Sequence, residues 1–277
     1  MSGSDSEGGV PLVEPKFNTA ATVSVSKKRK REAEAEAEAK KKKKAKQRKK
    51  KKPKNILDED LNEQLGVNVA FARMDAQLLA DYINQRTAHY WKDMSSVELE
   101  DRFIPVRAIQ DTSEWEWPRN LEHLAKFLKK SCGKLKPVST SSKGSPHTLI
   151  VAGSGIRAAN LARALKDGLP NEGVKAPKVG KLFAKHIKLK EAIEFCSREG
   201  MDFGVGTPQR ISELLESSAL KCSNLKHIVI DASYIDEKKR GILDMKDLHK
   251  AVLDLLLRGE FKSSEDSWDD QFRLILY

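Results

Sequence analysis

From residue 147 onward, short apolar runs alternate with amphipathic stretches. Residues 148–152, Thr-Leu-Ile-Val-Ala, form a β-rich run, and after Gly153-Ser154-Gly155 the apolar residues Ala158, Leu161, Ala162 and Leu165 recur at helical spacing. The exchange repeats: residues 181–183 precede a helical 187–195, 203–205 precede a helix opening at Pro208, 225–230 precede 244–257, and 272–277 form a last run. Strands that alternate with covering helices need right-handed crossovers back to one sheet. The pattern therefore predicts an open α/β fold, a mainly parallel sheet with helices on both faces. Residues 58–130 read as helical, with Ala76, Leu79, Ala80 and Ile83 on one face and Leu121, Leu124 and Leu128 repeating the spacing.

Residues 1–55 hold few branched or aromatic side chains apart from Val10, Leu12, Phe17 and a few others. Such a segment cannot bury enough surface to offset the entropy of ordering, so disorder is expected there. The predicted organisation is a lysine-rich tail at 1–55, a helical segment at 56–135 and an α/β lobe at 136–277.

Charge sharpens this division. Of 51 Lys and Arg and 40 Asp and Glu in the chain, 17 bases and 4 acids lie between Lys27 and Lys54, leaving 34 bases against 36 acids elsewhere. One tethered segment thus carries the attraction for phosphate, while the remainder is nearly neutral. Runs 27–31 and 40–44 also read as nuclear or nucleolar import signals. The longest stretch free of Asp, Glu, Lys and Arg has 13 residues, 144–156, short of the ~20 a membrane-spanning helix needs. Three cysteines with no C-x-x-C pair, and no secretory leader at Met1, suggest a reducing compartment and no membrane.

In open α/β sheets ligands bind at the carboxyl ends of strands, so the residues after 152, 205 and 230 matter most. Gly206-Thr207-Pro208-Gln209-Arg210 follows one strand, with Thr207 placed to cap a helix and Pro208 at its first position. Asp231-Ala232-Ser233-Tyr234 follows another, and there Asp231 is expected to cap a nearby backbone group. Gly153-Ser154-Gly155 and Ala158 satisfy half of a dinucleotide or methyl-donor fingerprint, but the next predicted strand ends in Ala184-Lys185-His186, where that chemistry needs an acid. Tyr90, Trp91, Trp115 and Trp117 could stack bases or, more commonly for such aromatics, pack at helix ends. The histidines and the cysteines Cys132, Cys196 and Cys222 show no metal spacing, and no nucleophile–base pair stands out.

Residues 201–236 resemble the first RecA-like lobe of DEAD-box RNA helicases, in which one strand ends in Thr-Pro-Gly-Arg and the next in Asp-Glu-Ala-Asp. The likeness extends to residues 153–157 and 272–277. It implies a RecA-like sheet and assigns Arg157, Thr207 and Arg210 as candidate RNA contacts. The departures fall on the catalytic positions. Nothing between Leu121 and His147 fits a G-x-x-x-x-G-K-[ST] phosphate loop, and the nearest fragment, Cys132-Gly133-Lys134-Leu135, lacks the metal-binding hydroxyl. Ala232 replaces the water-activating Glu and Tyr234 the last Asp.

Together with residues 104–115, 151–159 and 206–236, the basic tail and the single lobe are similar to the Cms family of nucleolar proteins. That resemblance implies a non-catalytic assembly factor of the small-subunit processome, in the nucleus and nucleolus, acting in maturation of the small-subunit ribosomal RNA. Its expected partners are pre-ribosomal RNA, the guide snoRNP and assembly proteins, without cofactor, metal or small-molecule substrate. The candidate RNA-binding residues of the tail are Lys27, Lys28, Arg29, Lys30, Arg31, Lys40, Lys41, Lys42, Lys43, Lys44, Arg48, Lys49, Lys50, Lys51 and Lys52. Two alternatives stand beside this reading: a divergent RNA-dependent NTPase, and a transferase using S-adenosylmethionine or a dinucleotide.

Overall fold

A computed structural model describes residues 60–133, 142–169, 177–184, 187–263 and 268–277. The tail residues named above lie outside them. Two short strands, β1 (Leu61–Asn62) and β2 (Val67–Asn68), pair antiparallel, and helices α1 (Ala76–Tyr90), α2 (Ser96–Glu100) and α3 (Leu124–Ser131) follow. Strand and helix then alternate: β3 (Thr148–Val151), α4 (Gly155–Gly168), β4 (Val179–Leu182), α5 (Leu189–Arg198), β5 (Phe203–Gly206), α6 (Pro208–Glu216), β6 (His227–Ile230), α7 (Lys246–Leu256) and β7 (Arg273–Leu276). The five later strands form one sheet in the order β4-β5-β3-β6-β7, every neighbouring pair parallel. This is the α/β architecture expected from the apolar pattern. Beyond β7, Ile109 bridges in parallel to Leu274, and the Gln110 amide donates to the Leu274 carbonyl at 2.8 Å.

The pleat sends successive side chains to opposite faces. Leu149, Val151, Ile228, Ile230, Leu274 and Leu276 point to a first face, covered by α1, α5, α6 and α7. Ile150, Val205, Val229, Ile275 and Tyr277 point to a second, covered by α3 and α4 through Leu124, Phe127, Leu128, Leu161 and Leu165. Strands buried on both sides read as unbroken apolar runs, which is why the sequence announced them. Each fully buried Leu or Ile contributes about 1.5–3 kcal/mol.

A polar seam fastens α1 to the first face. Arg86 pairs with Asp244 and donates to the Tyr82 hydroxyl at 2.8 Å, Tyr82 donates to Asp244 at 3.1 Å, and the Gly241 amide donates to the same carboxylate at 2.6 Å. The Thr87 hydroxyl donates to the Ile83 carbonyl at 3.0 Å, so its contact with His249 Nε2, also 3.0 Å, has the imidazole as donor. His249 is fully buried, and burial, then the nearby Arg86 charge, lowers its pKa to about 4. The ring is neutral.

Candidate functional site

Because the strands run parallel, all five carboxyl ends meet along one edge of the sheet, where α/β proteins place their ligands. The edge is occupied by the chain's own side chains. Ser154 caps α4 by accepting from the Arg157 amide at 3.2 Å, which aims the Arg157 side chain across the strand ends. Its Nε donates to Asp231 Oδ2 at 2.7 Å and its Nη2 to Oδ1 at 2.9 Å, a bidentate pair whose members are 6% and 2% exposed. The Tyr234 ring closes over the guanidinium, 4.1 Å from its carbon. Burial works against the charge on Arg157, but Asp231 outweighs it and the pKa ends above the usual arginine value. Asp231 was expected to cap a backbone group; it anchors a buried arginine instead.

The loop after Asp231 is sewn down on both sides. The Asn68 amide donates to the Ser233 carbonyl at 2.7 Å, the Ile235 amide to the Gly66 carbonyl at 3.0 Å, and the Ser233 amide to the Tyr277 carbonyl at 2.7 Å. The Tyr277 hydroxyl donates to the Asn120 carbonyl at 2.5 Å while its ring packs 4.6 Å from Phe127. Burial and then the Asp231 charge push its pKa well up, against the opposing arginines.

A phosphate cradle needs a strand, a glycine-rich loop and a helix N-terminus. Besides the β3–α4 connection, the segment from the Ile109 bridge to α3 runs from the sheet to a helix N-terminus in the same order but without the glycines, a placement that sequence reasoning missed by looking after Leu121. A single bridging residue leaves no periodic trace. Residues 110–123 contain no glycine and no lysine. Their one arginine, Arg119, is 2% exposed, donates to the carbonyls of Leu276 and Thr112 and to the Thr112 hydroxyl, and lies 5.5 Å over the Phe127 ring. Burial lowers its pKa to about 10, still charged at neutral pH.

At the end of β5, Thr207 occupies the N-cap of α6 and Pro208 its first position, as read from the sequence, but the Thr207 hydroxyl makes no capping bond. Gly206 is required by crowding: a Cβ there would lie 2.1 Å from the Leu182 carbonyl oxygen. Arg210, 7% exposed, donates to Glu213 at 2.9 Å and to the Ile187 carbonyl at 3.1 Å. The three candidate RNA contacts of the lobe thus share the strand-end edge, yet both arginine heads are committed within the fold.

A scan against protein families matches residues 24–277 to the model described as CMS1, U3-containing 90S pre-ribosomal complex subunit. The chain belongs to the CMS1 family. Membership gives it a role in ribosome biogenesis. Protein CMS1 of Chaetomium thermophilum is 44% identical over 226 residues, covering 79% of this chain and 87% of that protein. Protein cms1 of Schizosaccharomyces pombe is 34% identical over 178 residues and human Protein CMSS1 32% over 186, and the matches span only 62% and 60% of those two proteins. Among solved structures, a DEAD box protein from Methanococcus jannaschii aligns with a TM-score of 0.40 at 17% identity, over 56% of this chain and 35% of that one.

Within this family member the aromatic residues separate by environment. Trp115 is buried edge-on against Phe127, and Tyr90 joins the polar seam through Arg86. Trp117 is 60% exposed and stacks on His123, with ring centroids 5.7 Å apart. Among the described residues no group of three His, Cys, Asp or Glu could hold a metal ion. The three cysteines are free thiols, and burial raises Cys132 to about 12 and Cys196 and Cys222 to about 11, so none offers a thiolate near neutral pH.

Proposed function

We propose that the chain is a non-catalytic nucleolar assembly factor of the 90S pre-ribosomal particle, bound to pre-ribosomal RNA through its basic tail and seated among assembly proteins and the guide snoRNP by its folded unit. The observation that carries the reading is the Arg157–Asp231 pair. A carboxylate that activates water must be reachable and basic; this one is 2% exposed, with both oxygens taken by one guanidinium under Tyr234. The glycine-free segment at 110–123 supports it further, since no backbone nest is available there for a triphosphate.

The magnitudes assign the RNA work to the tail. If about ten of its bases neutralise phosphates, affinity falls with a log-log salt slope near about −9, and such binding reaches only ~10⁻⁴ to 10⁻⁶ M at physiological salt. Specific placement then falls to the folded unit. Removing residues 27–54 should abolish most of the slope in a fluorescence-anisotropy titration; retention of the full slope would contradict the division. Titration with Mg-ATP and with S-adenosylmethionine should give no binding. Tight Mg²⁺-dependent nucleotide binding, or turnover abolished by Asp231→Asn, would restore the NTPase reading. Because Asp231→Asn also unpairs a buried arginine, the double variant Arg157→Met/Asp231→Leu serves as the folded control.

A further inference from the structure

The second face of the sheet carries a charge pattern that the tail and the strand-end edge do not use. Helices α3 and α4 bury Leu124, Phe127 and Leu128, and Leu161 and Leu165, against the same side of the sheet. They pack closely: Gly168 sits where a Cβ would clash, 2.6 Å from the Ala125 Cβ. Their solvent sides therefore form one surface, and the exposed charged positions on it are Lys126, Lys129 and Lys130 on α3 and Arg163 and Lys166 on α4, with Asp167 as the sole carboxylate of the two helices. Lys130 donates to the Glu114 carbonyl at 3.0 Å and Arg163 contacts the Asn160 side chain at 3.4 Å, and none of Lys126, Lys130, Arg163 and Lys166 is ion-paired with another described residue.

We infer that the α3–α4 face is a docking surface for the phosphate backbone of an RNA duplex, a second and folded RNA site beside the tail. This rests on the RNA-binding reading above and names a place in the fold for it. Bases three and four apart on a helix stand about 4.5–6 Å apart along its axis, while a nucleic-acid duplex presents roughly one charge per 1.7 Å of its own axis. Several contacts can form together. The half-buried positions of α4 are Ala159, Asn160 and Ala164, the two alanines packed against the core, and Ile156 is exposed on its first turn. The centre of a protein-binding surface is normally apolar or aromatic; beside Arg163 and Lys166 the incompletely buried positions of α4 are small or polar, and the exposed Trp117 lies outside α3 and Ile156 on the first turn of α4. Phosphate is the ligand that fits.

The full chain is titrated with a 20-base-pair RNA duplex over a range of salt, with polyglutamate as the acidic-polypeptide probe. Lys126→Gln/Arg163→Gln/Lys166→Gln should make the salt slope shallower by about 2 to 3, near one for each phosphate contact removed. A control of equal charge, Lys190→Gln/Lys221→Gln/Lys246→Gln, should leave it within one of the parent value, and circular dichroism checks that both variants stay folded. Equal flattening by the control overturns the inference in favour of unspecific net charge. Polyglutamate binding that the first triple abolishes, with the RNA slope unchanged, overturns it in favour of an acidic protein. If the first triple matches the parent while removal of residues 27–54 flattens the slope, the inference fails and the tail reading stands; if neither changes the slope, both fail.

Discussion

The two faces of the sheet bury side chains by the same rule and then treat charge in opposite ways. On the first face, α5, α6 and α7 carry five bases (Lys190, Arg198, Arg210, Lys246, Lys250) and six acids (Glu191, Glu194, Glu213, Glu216, Asp247, Asp254). Seven of these eleven are ion-paired, in Arg198–Glu194, Arg210–Glu213 and Lys250–Asp254 within single helices and in Glu216 with Arg258 just beyond α7. On the second face the exposed bases outnumber the acids five to one. Packing a helix on a sheet constrains its inner positions only, so an outer surface on which Lys126, Lys130, Arg163 and Lys166 pair with no carboxylate among the described residues reflects something outside the core. Exposed pairs contribute little, about 0–1 kcal/mol each, so the balanced face is not the balanced one for stability's sake.

The comparison can be broken most directly at Phe127. It is fully buried on the second face, with Trp115, Tyr277 and Arg119 gathered around its ring. Phe127→Ala should cost about 3–5 kcal/mol in urea unfolding, and a loss under 1 kcal/mol would mean that α3 does not hold this face together. Acid tests the first face. The folded state keeps His249 neutral, with a pKa near about 4, while the unfolded chain takes a proton near about 6.5, so stability is full above that pH and declines as pH falls toward 4. His147, also lowered to about 4 by burial, adds a loss of the same sign. His249→Gln should shrink the stability difference between pH 7 and pH 5 by about 2 kcal/mol in paired denaturation curves; an undiminished difference would show that the seam is not what titrates. The smallest effect is expected at the start of α1, where Asp75 accepts from the Leu78 amide at 2.8 Å. Asp75→Ala should cost about 1 kcal/mol and Asp75→Asn close to nothing, read from thermal melts.

Much of the sheet was legible in the residue pattern, since buried parallel strands spell themselves as apolar runs. The runs at 148–152, 203–205 and 225–230 became β3, β5 and β6 with ends shifted by two residues or fewer. β4 was harder to place because Gly180 and the exposed Lys181 interrupt it, and it begins at Val179 rather than at residue 181. The strand-end edge was legible as a location but not as chemistry. Arg157 and Asp231 stand 74 positions apart and meet only through the adjacency of β3 and β6. Thr207 and Pro208 signalled a helix start correctly, whereas the burial of Arg210 depends on Glu213 and on Ile187 from another loop. No spacing rule reports which arginine faces solvent.

Ser233 joins distant parts of the chain: its carbonyl takes the Asn68 amide and its own amide is held by Tyr277. Contacts of such long sequence separation form late, after the intervening loops have closed. During synthesis the hairpin at 61–68 therefore stands without its partner backbone until the loop at Ser233 and Ile235 has been made. The clasp ties a segment made early to a loop made 165 residues later, from Asn68 to Ser233.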